Sequence, residues 1–447
     1  METPKCKIDI YFFANIIYNY CHEMEIIMNK YLPRIVDEEI ENRLSYMAAL
    51  LIEGCKWCGK STTAKQHVKS IIEFQNPDNK KDYEFINNTK PSLFLDGVKP
   101  RLLDEWQMYP VVWDSIRSDV DKTGLVGQYI LTGSAKPVEG STMHTGTGRF
   151  TRLLMRPMSL YESGDSNGLV SLKDIIEGKD VAATSEISLE DIANCIIRGG
   201  WPNSLIINEK NRHKVAKDYV ESLIREDVNT IDGVERNPSK MRAVLRSLAR
   251  NVSTPVSNAT LIEDVKNEFI DEISRPTLDD YLNTLEKLFV VENVKATNLN
   301  IRSTTPLRTK EKFEFVDPSI ATAVLGLTEK DLLHDLNYFG FLFENMCIRD
   351  LRIYSQLLDG EISYYRDKND FEVDVILRMQ NGTWGAIEIK LGSGYIEEAA
   401  QNLLKFKNIV DTNKCGEPAF LMVLSGSSYS YKRPDGVYVI SIGTLKN

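Results

Sequence analysis

Apolar and polar positions alternate between a helical and a strand-like period from about residue 31 to residue 160. Asp37–Ala49 has helical spacing, and Ala48–Glu53 is a short apolar run that ends at Gly54. This pattern predicts a helix, a buried strand and a turn, in that order. Further predicted strands are Ser92–Leu95, Arg101–Leu103 and Tyr129–Leu131. Strands that alternate with helices predict an α/β fold, a mostly parallel sheet with helices on both faces.

The pattern changes twice after residue 160. Tyr161–Ser188 is rich in Gly, Ser, Asp and Glu, which predicts loops around a short helix, and helical periodicity dominates Leu189–Leu327. Within that region the predicted elements are the helices Met241–Arg250, Ala259–Glu268 and Pro276–Lys287, then the strands Phe289–Val294 and Lys312–Val316. From about Asp331 a helix is predicted, followed by the strands Ile362–Arg366, Glu372–Leu377 and Trp384–Ile389.

Composition excludes some classes of function. The 447 residues are 42% hydrophobic and 26% charged, typical of a globular protein with several cores, and the formal net charge is −10. No global positive field therefore draws the protein to nucleic acid or to a membrane surface, so nucleic-acid binding would need a local basic patch. The apolar run Ile8–Tyr18 is too short to span a bilayer. Seven scattered cysteines predict a reduced, cytoplasmic protein without a membrane partner.

A phosphate-binding loop follows the first strand. The pattern G-x-x-x-x-G-K-[ST] lies between the predicted strand and the predicted helix Thr62–Ile72, the context that this pattern requires. Backbone N–H groups and the helix N-terminus would bind phosphates, Lys60 would reach the β and γ phosphates, and Ser61 would ligate Mg²⁺. The nucleotide-binding residues predicted here are Gly54, Cys55, Lys56, Trp57, Cys58, Gly59, Lys60, Ser61 and Thr62.

Two later strands end in polar residues that suit the same site. Asp104 suits the magnesium shell and Glu105 suits polarisation of the attacking water, although an ordinary acidic pair at the end of a strand is the alternative. After the strand Tyr129–Leu131, Ser134 is in a position to sense the γ-phosphate. The three strands are predicted to end at one edge of the sheet, where open α/β folds bind ligands.

Two further features near the loop have competing interpretations. Cys55 and Cys58 form a CxxC pattern, but a redox or zinc role would compete with phosphate binding for the same residues. Arg149 follows Gly146 and Gly148, and it is a candidate transition-state arginine acting within or between subunits. A solvated loop arginine is the equally weighted alternative.

The order of these motifs resembles bacterial and archaeal AAA-type ATPases that carry a C-terminal domain of unknown function. This resemblance implies ATP rather than GTP, a helical lid and a capacity to form a homo-oligomer. Departures are small, since Cys55 replaces a common proline and Ser61 a common threonine. The motifs that carry the resemblance are Tyr31-Leu32-Pro33-Arg34, the glycine loop, Leu103-Asp104-Glu105, Leu131-Thr132-Gly133-Ser134, Gly148-Arg149, Pro157-Met158-Ser159 and Gly199-Gly200-Trp201-Pro202.

The middle of the chain has the element order of a winged-helix module, three helices followed by two strands. Arg242, Arg246 and Arg250 repeat every four residues and therefore share one helix face. That face would meet DNA phosphates, or it is a merely solvated basic face.

The last strands bear a carboxylate cluster. Asp374 and Glu388 are predicted on adjacent strands, with Lys390 on the same face as Glu388 and Glu344 on the preceding helix. Asp374, Glu388 and Lys390 resemble the signature of the PD-(D/E)xK nuclease fold, which is restriction-endonuclease-like. Asp374, Glu388 and Glu344 would bind Mg²⁺, while Gln401 is a candidate polar neighbour. Such short patterns also arise by chance, and domains of this fold persist without activity.

These observations predict five regions and two functions. The predicted function is an ATPase, with ATP and Mg²⁺ as cofactors, that couples nucleotide state to DNA binding or cleavage through residues 236–447. The alternative is a nucleotide-switched interaction protein with an inactive nuclease-like domain. The predicted regions are an N-terminal extension (1–30), a P-loop ATPase core (31–160), a helical lid or linker (161–235), a winged-helix-like domain (236–330) and a nuclease-like domain (331–447).

Overall fold

A five-stranded parallel sheet lies in the first part of the chain, between residues 49 and 154. The computed structural model describes residues 31–134, 146–268, 273–297 and 310–447; the predicted N-terminal extension lies outside this part. The strands are β1 Ala49–Glu53, β2 Ser70–Glu73, β3 Arg101–Asp104, β4 Tyr129–Gly133 and β5 Phe150–Leu154, and the helices are α1 Val36–Tyr46, α2 Lys60–Gln66, α3 Lys80–Thr89 and α4 Val111–Thr123. The spatial order β2-β3-β4-β1-β5 places β1 between β4 and β5.

Both faces of this sheet are covered, as the sequence predicts. Leu50 and Ile52 pack in the same apolar cluster as Ile40 of α1, while Leu51 packs in a second cluster with Trp113 of α4. Because successive side chains of a strand point to opposite faces, the continuous apolar run of β1 fills both clusters.

Two predicted elements in this part of the chain are wrong. Ser92–Leu95 belongs to a 3-10 helix, Pro91–Leu95, rather than a strand. The predicted helix Thr62–Ile72 ends at Gln66, and Ser70–Glu73 forms the edge strand β2. The β-branched pair Ile71-Ile72 favours a strand, and pairing of β2 with β3 outweighs the helical spacing there.

Residues 161–235, predicted as a helical lid or linker, contain two short strands as well as helices. The elements are α5 Leu160–Ser163, β6 Val170–Ser171, α6 Leu172–Ile176, β7 Ala182–Thr184, α7 Leu189–Arg198, α8 Pro202–Ile206, α9 Arg212–Ser222, a π-helical turn Leu223–Asp227 and α10 Val228–Thr230. The helices from α7 onward agree with the predicted helical region. The two short strands, in the stretch predicted as loops, pair with strands near the end of the chain.

The middle segment has the predicted order of three helices and two strands. These elements are α11 Pro238–Arg250, α12 Asn258–Glu268, α13 Arg275–Lys287, β8 Val291–Val294 and β9 Lys312–Phe315, followed by α14 Pro318–Leu325 and α15 Glu329–His334. The strands β8 and β9 form an antiparallel pair.

A seven-stranded mixed sheet forms the last part. The helices are α16 Leu336–Tyr354, α17 Ile396–Ile409 and α18 Thr412–Cys415, and the strands are β10 Glu361–Arg366, β11 Glu372–Arg378, β12 Trp384–Lys390, β13 Phe420–Ser425, β14 Tyr429–Lys432, β15 Tyr438–Ser441 and β16 Leu445–Lys446. The order β10-β11-β12-β13-β15-β14-β7 includes β7, and β16 pairs with β6. The edge strand β7 thus comes from residues that precede the predicted region 331–447 in the chain.

A buried ion network joins these parts. Arg349 of α16 pairs with Asp317 at 2.7 Å and with Asp350 at 2.7 Å. Asp317 also accepts a hydrogen bond from the Gly200 backbone N–H, and Asp350 accepts one from the Leu160 N–H, each at 2.9 Å. The network fixes α16 against α5, α14 and the turn before α8.

Glu314, in β9, makes stability depend on pH. Its side chain is fully buried, and Ser253 Oγ donates a hydrogen bond to its Oε2 atom at 2.9 Å. Burial raises the pKa of Glu314 from 4.5 to about 7. Between those values the folded state retains a proton that the unfolded state has released, so the free energy of unfolding falls as pH rises, by about 3 kcal/mol in total.

Glu314→Gln should remove this contribution. We expect the variant to be more stable than the wild type at pH 8 by about 2–3 kcal/mol and to differ little at pH 5, measured by urea unfolding. Glu361→Gln, at an exposed position of β10, is the matched control and should leave the pH dependence unchanged. Parallel pH profiles for the wild type and Glu314→Gln would contradict the assignment.

Candidate functional site

The glycine loop connects β1 to α2 in the geometry that phosphate binding requires. Gly54 and Gly59 have φ angles of +150° and +102°, and a Cβ atom on Gly54 would lie 2.0 Å from the Met155 carbonyl oxygen. Only glycine fits that position. Thr62 lies in the first turn of α2, so the N-terminus of this helix directly follows the loop.

Lys60 lies inside the loop. Its Nζ atom donates hydrogen bonds to the carbonyl oxygens of Gly54 at 2.9 Å and of Cys55 at 2.7 Å, and the residue is buried. These bonds hold the ammonium group at the centre of the loop, close to the backbone that would surround the phosphates.

Ser61, Asp104 and Thr132 bring together the ends of three elements. Ser61 Oγ donates to Asp104 Oδ1 at 2.6 Å, and Thr132 Oγ1 donates to the same oxygen at 2.5 Å. Oxygen ligands on neighbouring elements suit Mg²⁺, so the residues fit this cation. From the run Thr132-Gly133-Ser134, sequence reasoning chose Ser134. The signal for Thr132 is its place as the first polar residue after the apolar run Tyr129–Leu131.

Glu105 lies beside this group with an unusual backbone. Its φ angle is +55°, and a non-glycine residue in the left-handed region is characteristic of functional sites. The Glu105 N–H donates to Thr132 Oγ1 at 3.1 Å, and its carboxylate accepts hydrogen bonds from Ser134 at 3.3 Å and from Gln107. The carboxylate is thereby oriented at the same edge of the sheet as the loop.

The two loop cysteines point into the protein. Cys55 and Cys58 are fully buried, and Cys58 Sγ contacts the Met155 carbonyl oxygen at 3.4 Å. Burial raises the pKa of the Cys55 thiol. Their side chains therefore pack in the apolar core beneath the loop.

Arg149 lies at the opposite edge of the sheet. Because β5 runs parallel to β1 with Phe150 beside Ala49, the residue before Phe150 is next to the start of β1, whereas the loop follows its end. Arg149 pairs with Asp121 at 2.8 Å. A role at the loop of its own chain does not fit this placement.

Asp374, Glu388 and Lys390 meet as the sequence predicts. Lys390 Nζ lies 3.0 Å from Asp374 Oδ2 and 2.7 Å from Glu388 Oε2. Burial alone would raise the pKa of Asp374, but Lys390 and Lys312 outweigh it and the pKa is lowered. Burial and the charge of Asp374 raise the pKa of Glu388.

Glu344 and Glu372 are held by a lysine that sequence reasoning missed. Lys312 Nζ lies 2.9 Å from Glu344 Oε1 and 2.7 Å from Glu372 Oε1. Across the described ranges, no group of three or more His, Cys, Asp or Glu residues is arranged to hold a metal ion. The predicted Mg²⁺ ligands Glu344, Asp374 and Glu388 are bonded to ammonium groups instead, so this cluster does not fit a divalent cation as arranged.

The polar neighbour from α17 is Asn402, not Gln401. Asn402 Nδ2 donates to Glu388 Oε1 at 2.5 Å and to the Glu372 carbonyl oxygen at 3.0 Å. Gln401 is exposed and donates to Glu397 at 3.1 Å. The sequence gives the correct helix, but the helical phase differs by one residue.

The arginine face of α11 is occupied by carboxylates. Arg242 pairs with Glu221, Arg246 with Glu268 and Arg250 with Asp264, each at 2.9 Å. Phosphates would have to displace these partners, so the simple basic face that the sequence predicts is not present.

Three family models match successive parts of the chain. Residues 47–164 match the AAA domain model, which spans the loop and all five strands of the first sheet. This part of the chain, called the AAA domain below, is therefore similar to AAA-type P-loop ATPases. The match supports ATP binding and hydrolysis. Residues 189–331 match a domain of unknown function, DUF8612, and residues 339–445 match another, DUF4143.

The chain is also similar to solved structures. A Walker-type ATPase of Pyrococcus abyssi is 14% identical over 65% of this chain and 94% of that chain, with a TM-score of 0.39. The Hef helicase domain of Pyrococcus furiosus is 10% identical over 88% of this chain and 89% of that chain, with a TM-score of 0.18. Comparison with curated proteins gives no match.

Arg34 stabilises the loop of the AAA domain through hydrogen bonds to backbone carbonyl oxygens. Its guanidinium donates to the Cys58 carbonyl oxygen at 2.9 Å and to the Arg156 carbonyl oxygen at 2.8 Å, and it pairs with Glu162 at 3.0 Å. The Tyr31-Leu32-Pro33-Arg34 motif thus has a structural explanation that sequence reasoning did not supply.

The helical segment after α8 contacts the outer side of the same loop. Lys56 pairs with Asp227 at 2.5 Å, and the ring of Trp57 lies 5.8 Å from that of Tyr219 in an edge-to-face arrangement. Asp227 ends the π-helical turn, a feature often found at functional sites. The AAA domain is therefore connected to residues 219–227 through the nucleotide loop itself.

Of the helices in the four described ranges, none has both the length and the apolar character needed to cross a bilayer.

Proposed function

We propose that the AAA domain hydrolyses ATP and that its nucleotide state controls a DNA-directed, nuclease-like C-terminal domain. The observation that carries the proposal is the meeting of Ser61, Asp104 and Thr132 beside Lys60 and Glu105 at one edge of the parallel sheet. This edge is where open α/β folds bind ligands.

Each residue of the nucleotide site has a distinct role in the proposal. Lys60 leaves its carbonyl partners to bind the β and γ phosphates, and the loop N–H groups bind the remaining oxygens. Ser61 and Asp104 would hold Mg²⁺, whose charge would offset that of the phosphates. Glu105 orients and polarises the attacking water, while Ser134 holds that carboxylate in place.

The helix α16 supports coupling between the two ends of the molecule. Met155, at the exit of β5, touches the loop at Gly54 and Cys58. Next to it, Gln356, which follows α16, donates to the Leu154 carbonyl oxygen at 3.0 Å. The same helix carries Glu344 into the C-terminal cluster. A shift of the loop and β5 would therefore be transmitted through α16 to that cluster.

The DNA-directed part rests on two features. Asp374, Glu388 and Lys390 lie together on adjacent strands, in the arrangement that resembles a PD-(D/E)xK site. The order of α11 to β9 is that of a winged helix, which supports DNA contact through residues 236–447. The proposal further includes a cytoplasmic protein, a homo-oligomer and a role for Arg149 between subunits.

A second candidate is a nucleotide-switched interaction protein. The observation that favours it is the occupation of the candidate basic face by Glu221, Asp264 and Glu268. The third helix of the segment, α13, also has more carboxylates than basic residues, which disfavours contact with phosphates.

One set of variants separates the two candidates. We expect Glu105→Gln to bind ATP but to hydrolyse it at least about 100-fold more slowly, because the water loses its general base. We expect Asp374→Asn to hydrolyse ATP normally and to lose cleavage of labelled single-stranded, duplex or branched DNA in the presence of Mg²⁺ and ATP. The exposed Glu84→Gln is the control for both assays.

The interaction protein is favoured if the protein cleaves none of these DNAs and shows no salt-sensitive DNA retention, while it hydrolyses ATP normally. Undiminished hydrolysis by Glu105→Gln would contradict the assignment of the catalytic carboxylate.

A further inference from the structure

Lys312 is a buried cation supplied to the C-terminal cluster by the middle segment. It is the first residue of β9, and only 1% of it is exposed. Its ammonium group lies between Glu344 of α16 and Glu372 of β11, at 2.9 and 2.7 Å, with the Tyr364 ring centroid 5.2 Å away. Two carboxylates and an aromatic face form a socket for a positive charge.

The two carboxylates explain how the Lys312 ammonium group can be buried. An unpaired ammonium group in a protein interior is strongly destabilising, whereas short contacts to two carboxylates compensate for the lost hydration. The attraction of Glu344, Glu372 and Asp374 outweighs burial and raises the pKa of Lys312, so the side chain stays charged.

The neighbouring carboxylates are also occupied. Asp374 Oδ2 accepts hydrogen bonds from the Ile389 N–H at 2.8 Å and from Lys390 at 3.0 Å. Glu388 is bonded to Lys390 and to Asn402. A divalent cation needs free carboxylate oxygens, and here it would meet two ammonium groups at short range.

We infer that Lys312 fills the cation position of the carboxylate cluster, and that the cluster accepts a divalent cation only when β9 withdraws this side chain. The inference rests on the proposed nuclease-like character of the C-terminal domain. It adds a specific regulator of that site, a lysine that belongs to the segment between the AAA domain and the cluster.

The measurement is Mn²⁺ binding to the full chain without nucleotide, by titration calorimetry. The wild type should show no binding that depends on Asp374, as judged by comparison with Asp374→Asn. Lys312→Met should gain binding that is at least about 10-fold tighter than the weakest binding that the titration detects, and the double variant Lys312→Met/Asp374→Asn should lose it. The neighbouring Lys310→Met, at an exposed position, should behave as the wild type.

Normal ATP hydrolysis and a cooperative unfolding transition establish that each variant is folded. Should Lys312→Met not fold, Lys312→Met/Glu344→Gln removes a buried cation together with one carboxylate and leaves Glu372, Asp374 and Glu388 for the metal. Asp374-dependent Mn²⁺ binding by the wild type, or no gain in a folded Lys312 variant, would overturn the inference. A gain of binding without DNA cleavage would support Lys312 as the occupant and contradict only the nuclease proposal.

Discussion

Lys60→Ala should abolish ATP hydrolysis, with a loss of at least about 100-fold in rate. The carbonyl oxygens of Gly54 and Cys55 hold the Lys60 ammonium within the loop. Among the residues that the structure describes, no other lysine donates to these two oxygens. Removing Lys60 removes the positive charge that would stabilise the developing charge on the phosphates. Phosphate release from ATP and binding of a fluorescent ATP analogue measure the two effects separately.

Lys65→Ala is the matched control for this variant. Lys65 belongs to the same helix, α2, but it is exposed and pairs with Glu73. It should retain hydrolysis within about 2-fold, because exposed ion pairs contribute little. Hydrolysis by Lys60→Ala at the wild-type rate would mean that another site turns over ATP.

Arg349→Met should lower the free energy of unfolding by about 3–5 kcal/mol. The variant leaves Asp317 and Asp350 buried without their cation, and both carboxylates also hold backbone N–H groups of distant segments. Methionine retains much of the volume, so the loss reports uncompensated charge rather than a large cavity. Urea unfolding of the full chain, followed by circular dichroism, measures the change.

Lys80→Met provides the comparison for an exposed pair. Lys80 and Glu84 lie 4.0 Å apart with most of both side chains in water, so the expected change is under about 1 kcal/mol. Arg349→Met/Asp317→Asn should be less destabilised than the sum of the two single variants, because the double variant removes both members of a pair. Equal, small effects of Arg349→Met and Lys80→Met would contradict the role of the network.

The convergence of the glycine loop with the ends of β3 and β4 could be predicted from the sequence because its determinants are local. The glycine loop fixes its own backbone, and Asp104 directly follows apolar residues in β3. Parallel strands then bring such strand ends to one edge without further information. The same rule explains the placement of Arg149, since a residue that precedes a parallel strand lies at the opposite edge.

The remaining features depend on contacts between residues far apart in the chain. Nothing around Lys312 distinguishes it from a surface lysine until β9 is placed against α16 and β11. Asp227 and Arg34 are brought into contact with the loop by tertiary packing. The choice of Gln401 over Asn402 shows the limit of helical periodicity, because one residue changes the direction of a side chain by about 100°.

The pairing of β6 with β16 also affects how the protein is made. Val170 pairs with Leu445, so a ribosome must add about 275 residues after Val170 before this pair of strands can form. At about 5–20 residues per second this takes roughly 15–55 s. During that time β6 has no partner strand, and β7 has none until β14 is synthesised, while the AAA domain already has all of its own strands. Translation therefore completes the nucleotide site well before the sheet that it is proposed to control.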